Sequence, residues 1–71
     1  MILISQNRYV AVRLQNLWIE PRNNVVCIFH SSEDEKKQMY LGTYGTEAEA
    51  IVQIEAIAKA LEDGKQVYRF D

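Results

Sequence analysis

The chain has 71 residues, 48% of them hydrophobic and 25% charged, with only 3 Gly and 1 Pro, which suits one small globular domain over 1–71 and excludes a disordered or low-complexity segment. Its net charge of −2 excludes a general affinity for phosphate backbones or anionic membranes, which a marked excess of Lys and Arg normally carries. The opening "MILIS" has no basic residue ahead of it and is too short for a signal-peptide core, and no apolar run approaches the roughly 20 residues that cross a bilayer.

In chain order, residues 2–4 predict a short first strand. Arg8–Leu14 alternates, with Val10, Val12 and Leu14 on one face and Tyr9, Ala11 and Arg13 on the other, so it predicts a second. The apolar parity slips at Gln15-Asn16, which places a turn or bulge before "LWIE", and Pro21–Asn24 supplies the chemistry of a hairpin turn. Val25–His30 is β-branched and aromatic enough for a central strand. The polar run "SSEDEKKQ" that follows reads as the most exposed loop, and Met39–Tyr44 returns as a strand. From about 46 to 63 the period becomes helical, with Ala50, Ile51, Ile54, Ile57, Ala58 and Leu61 forming the apolar stripe and Gln53 among the residues outside it. Thr46 with Glu49 forms a capping box, and Gly64 stands where a left-handed residue ends a helix. Residues 65–70 predict a short closing strand. The expected fold is therefore α+β: a mostly antiparallel sheet of about five short strands, one helix from the C-terminal half packed on it, and a final strand.

One helix covers one face of such a sheet, yet several strands are apolar on both. Val26 and Ile28 lie on one side of the fourth strand and Val25, Cys27 and Phe29 on the other, which is the mark of a strand buried on both faces. Either the sheet curls on itself or a second molecule covers it. A chain this short buries only about 60% of its unfolded surface, so association would relieve a marginal stability. The expectation is a self-associating interaction module, a homodimer, with Tyr9, Arg13, Trp18 and Phe29 on the open sheet face and Val52 on a ridge of small helical residues as the contact surface.

No residue set supports catalysis. Cys27 and His30 are three apart on a strand, so their side chains leave opposite faces and cannot form a nucleophile–base pair or a metal clip. With no second His or Cys in the sequence, no cofactor or structural metal is expected, and Cys27 and His30 read as a core residue and a surface residue. The lone cysteine also points to a reducing, cytoplasmic setting. Glu33, Asp34 and Glu35 beside Lys36 and Lys37 read as a solvated hairpin tip, without the glycine and ligand spacing of a calcium loop. The rival to self-association is a sheet-face nucleic-acid binder, in which Arg8, Arg13 and Arg22 would touch phosphates while aromatic rings stack on bases.

Leu41–Ala50, "LGTYGTEAEA", carries two resemblances. Leu41, Gly42, Thr43, Tyr44, Thr46 and Ala50, with Glu49 at an acidic position, resemble the strand-to-helix joint of plant ethylene-response-factor DNA-binding domains and of phage-integrase N-terminal domains. That resemblance implies DNA contacts from the preceding strands, where Arg13 and loosely Trp18 align. Over more of the chain, Leu41, Gly42, Tyr44, Thr46, Glu49 and Ala50, then Gly64, Lys65, Val67 and Tyr68, resemble small bacterial proteins of Firmicutes and their prophages that begin "MI-I". This second resemblance implies a small, oligomeric accessory protein and brings no activity with it.

Overall fold

The computed structural model describes residues 1–31 and 39–71. They form β1 (Ile2–Ile4), β2 (Ala11–Arg13), β3 (Asn16–Arg22), β4 (Val25–Ser31), β5 (Met39–Tyr44), α1 (Glu47–Glu62) and β6 (Val67–Arg69), an α+β fold. The expected single sheet is two three-stranded ones, ordered β2-β1-β6 and β3-β4-β5. All pairings are antiparallel except β1 with β6, which is parallel. The expected acidic hairpin tip lies outside the described residues.

The first turn shortens β2. Arg8 adopts φ 71, and the Asn7 side-chain oxygen accepts from Ser5 Oγ at 2.7 Å and from the Tyr9 N–H at 3.0 Å. This Asx-type turn ends the strand at Ala11, and Arg8 and Tyr9 leave it. The β3–β4 hairpin is tighter than expected: Asn23, at φ 57, and Asn24 alone form its loop, while Pro21 and Arg22 continue β3. Proline is tolerated there because β3 is an edge strand. Across β4 and β5 the register steps from Ile28↔Gly42 to Phe29↔Tyr40, and the extra residue, Leu41, turns into the core.

Leu3, Ile28, Leu41, Tyr44, Ala50, Ile57 and Phe70 make that core, packed around by Val10, Val12, Leu14 and Tyr68 among others. Fully burying such aliphatic and aromatic side chains contributes about 1.5–3 kcal/mol each. Helix α1 lies against β3, β4 and β5 on their Ile28 side. Thr46 caps it, its Oγ1 accepting from the Glu49 N–H at 3.2 Å, although the hydroxyl also donates to Glu49 Oε1, so the carboxylate closes on the side chain. At the other end the Gly64 N–H reaches Leu61 O and the Lys65 N–H reaches Ala60 O, with Gly64 at φ 73, which is a Schellman ending.

The helix is rotated from its predicted setting. Ala50, Gln53 and Ile57 are buried and Ile54 half-buried, whereas Ile51, Ala58 and Leu61 are exposed. Gln53 is buried because its Oε1 accepts from the Tyr68 hydroxyl at 2.6 Å and the Asp71 N–H at 3.4 Å, bonds from a segment that the helical period cannot reveal. His30, expected at the surface, is also buried, and its Nε2 donates to Arg13 O at 3.0 Å, tying β4 to β2.

Candidate interaction site

The register places Trp18 of β3, Phe29 of β4 and Tyr40 of β5 in one row across the sheet face opposite the helix. Side chains alternate along each strand, so Glu20, Cys27 and Thr43 form the next row and Arg22 with Val25 the one after. Trp18 stacks on Phe29 with ring centroids 5.7 Å apart and planes at 15°, and Tyr40 meets Phe29 edge-on at 5.6 Å. The Arg22 guanidinium sits 5.1 Å from the Phe29 centroid and also pairs with Glu20 at 2.6 Å. Phe29 is left 4% exposed, Tyr40 62%. Each aromatic contact contributes about 0.5–1.5 kcal/mol beyond its buried area and the cation–π contact about 0.5–1 kcal/mol. Cys27, also buried, faces this side, its Sγ 3.9 Å from Thr43 Oγ1.

This cluster decides what the face can do. Phe29 is held between Trp18 and Tyr40 under Arg22, so it has no ring face free to stack on a base. Arg22 rests against Phe29 and pairs with Glu20 at the surface. What remains is an apolar ledge, Trp18 and Tyr40, ending at the β3 edge.

Of the other residues expected on the contact surface, Tyr9 and Arg13 lie away from the aromatic face, and Val52 is on the helix as expected. Tyr9, 89% exposed, projects from the β1–β2 turn, and Val52 stands on the helix, behind the sheet. Arg13 belongs to the outer face of β2-β1-β6, where the rows read Arg13–Ile2–Val67 and Ala11–Ile4–Arg69. Arg8 in the β1–β2 turn and Lys65 ahead of β6 are also exposed, at opposite ends of this sheet. None of these four cations pairs with a carboxylate among the described residues, whose ion pairs are Arg22–Glu20 and Lys59–Asp63. Glu47, Glu49, Glu55, Glu62 and Asp63 are all exposed on the helix or at its end, with Lys59 among them. Sequence reading missed Arg69, whose parity with Arg13 emerges only through the pairing of both strands to β1.

A cavity of about 420 Å³ opens beside the start of α1, walled by Gln6, Thr43, Glu49, Val52, Gln53 and Asp71. The Tyr44 hydroxyl donates to Asp71 O at 3.1 Å, and Gln6 Nε2 donates to the same oxygen at 3.0 Å. Burial first, then the neighbouring Tyr68 and Asp71, push the Tyr44 phenol up to about 12. Burial and then Asp71 raise Tyr68 as well. Neither phenol is poised for proton transfer near neutral pH.

Among the described residues no three His, Cys, Asp or Glu side chains gather as metal ligands, and no helix is long and apolar enough to cross a membrane. No family model, no curated protein and no solved structure matches the chain.

Proposed function

We propose that this is a non-enzymatic interaction module that works as a homo-oligomer in a reducing, cytoplasmic setting, with the aromatic face of β3-β4-β5 at its contact. The observation that carries the reading is the second apolar cluster: Trp18, Phe29 and Tyr40 gather on the side of the sheet that the helix does not cover, with Tyr40 62% exposed. Aromatic side chains are enriched at protein–protein contacts relative to the rest of the surface. Light scattering on the purified chain tests it: a mass of twice the 8.2 kDa chain is expected, and a single 8.2 kDa species across the concentration range refutes it.

One observation favours a nucleic-acid-binding reading: Arg8, Arg13, Lys65 and Arg69 border the outer face of β2-β1-β6 without carboxylate partners among the described residues. Phosphate contacts would come from that sheet and not from the aromatic one. Retention on DNA or RNA that falls with salt and is lost in Arg13→Glu supports this reading, and absence of retention at low salt removes it.

A further inference from the structure

We infer that two copies join through the β3 edge, antiparallel about a two-fold axis at Trp18, to make one six-stranded sheet. The inference rests on the self-association reading and places the contact at the β3 border of the aromatic face, beside Trp18. It starts from the hairpin. A loop of only Asn23-Asn24 requires the flanking pair Arg22–Val25 to be of the hydrogen-bonded kind, because neighbouring residues cannot close the alternative. By alternation Trp18 and Glu20 also direct their amides at β4, while Leu17, Ile19 and Pro21 direct theirs away from the sheet. Pro21, having no N–H, sacrifices no bond in that position. No hydrogen bond from another segment meets β3 on that side among the described residues.

The other edges are occupied or too short. On β5 the Gln6 N–H reaches Leu41 O at 2.6 Å and the Gln6 side-chain oxygen accepts from the Thr43 N–H at 2.9 Å, so a turn of the chain itself covers that edge. On β2 the Arg13 carbonyl accepts from His30, and β6 has three residues. Among the described residues, only β3, with seven residues, offers outward amides without a partner over a useful length.

The register we infer is centred on Trp18. Setting Trp18 opposite the partner's Trp18 pairs Leu17 with the partner's Ile19 and Ile19 with the partner's Leu17, and uses every outward N–H and C=O of those four residues. Moving the axis to Ile19 would oppose Leu17 to a proline and leave the Leu17 carbonyls unbonded. The Trp18 register also sets Glu20 against the partner's Asn16, so no like charges meet, and it continues the aromatic row across the axis into the partner's Phe29 and Tyr40. Cross-strand aromatic pairs are among the stabilising pairings of antiparallel strands.

Engineered cysteines read the register directly, in the full chain with Cys27→Ser to remove the native thiol. In this arrangement residue 16 of one copy and residue 20 of the other form a non-hydrogen-bonded pair with Cα atoms about 4.5 Å apart. That separation is within disulfide reach. The two copies of residue 16, or of residue 20, are offset by four residues, about 14 Å. Mixed Asn16→Cys and Glu20→Cys proteins should therefore give a covalent dimer under oxidised glutathione, and either variant alone should give none above background. Both sites lie outside the core cluster, so folding should survive. Cross-linking that is equal in the single-variant samples, or a light-scattering dimer that never cross-links in the mixture, overturns the β3 register while leaving self-association standing. A monomeric mass overturns both.

Discussion

Replacing Gln53 by Leu removes the acceptor that joins the helix to the C-terminal segment while keeping nearly the same side-chain volume and a good helix former. Gln53 is 6% exposed, and its Oε1 holds the Tyr68 hydroxyl at 2.6 Å and the Asp71 N–H at 3.4 Å. A buried polar group left without its partner costs about 1–3 kcal/mol. Tyr68 is half-buried, so water reaches part of the orphaned hydroxyl and the lower portion of that range applies, about 1–2 kcal/mol. A domain of this length holds roughly 4–10 kcal/mol in all, and each kilocalorie moves Tm by about 4–8 °C. Thermal unfolding followed by circular dichroism should therefore show Gln53→Leu melting roughly 5–15 °C below the parent. Adding Tyr68→Phe separates the bond from packing, because its cost should shrink by about 1 kcal/mol when Gln53 is already Leu. A Gln53→Leu protein as stable as the parent, with additive Tyr68→Phe, would refute the claim that this amide is buried for its hydrogen bonds.

Thr46→Ala deletes the cap on the Glu49 N–H and should cost about 1 kcal/mol in denaturant unfolding, with an unchanged m-value. Gly42→Ala places a Cβ 2.7 Å from the Tyr44 hydroxyl and 2.9 Å from its ring, so Tyr44 must move off Asp71. About 1–3 kcal/mol should be lost, read in the same unfolding assay. At high pH the Tyr44 phenol, ordinarily 10.0, ionises near 12 in the folded chain, so folding favours its neutral form. That contribution is complete below pH 10 and disappears as pH rises from 10 towards 12. Stability should fall over that interval in the parent and fall less steeply in Tyr44→Phe, as measured by urea titration at stepped pH.

Local signals in the sequence located most elements because their causes are local. The alternation of Val10, Val12 and Leu14 places all three against the core, and Thr46 and Gly64 bracket the helix within a residue at each end. What escaped was set by distant partners. β1 pairs with β6, from the opposite end of the chain, so a division into two sheets has no local trace. Gln53 reads as a polar residue on a helical wheel, and only the return of Tyr68 and Asp71 over that flank explains its burial and the rotation of the Ile51–Leu61 stripe into solvent. Pro21 looked like turn chemistry because proline so often is, yet on an edge strand its missing N–H costs nothing. Parity put Phe29 on the side of the sheet away from the helix, whereas joining it to Trp18 and Tyr40 in one row needed the register.

The aromatic cluster has two accounts with different consequences for concentration. If it is only a satellite core of a monomer, Trp18→Ala removes one stacked contact and its buried area, and Tm drops by an amount independent of protein concentration. If the same ring lies on a two-fold contact, folding and association are linked. Each tenfold rise in concentration then adds about 1.4 kcal/mol per dimer, shared by two protomers, which raises Tm by about 3–6 °C. Trp18→Ala should abolish that slope as well as lower Tm, because the variant melts as a monomer at every concentration. Calorimetric scans over a hundredfold concentration range distinguish the two accounts: a flat Tm in the parent would reduce Trp18, Phe29 and Tyr40 to intramolecular packing. A slope that survives Trp18→Ala would move the contact to another surface, and the outer face of β2-β1-β6, with Ile2 and Val67 exposed between Arg13 and Arg69, would be the next to examine.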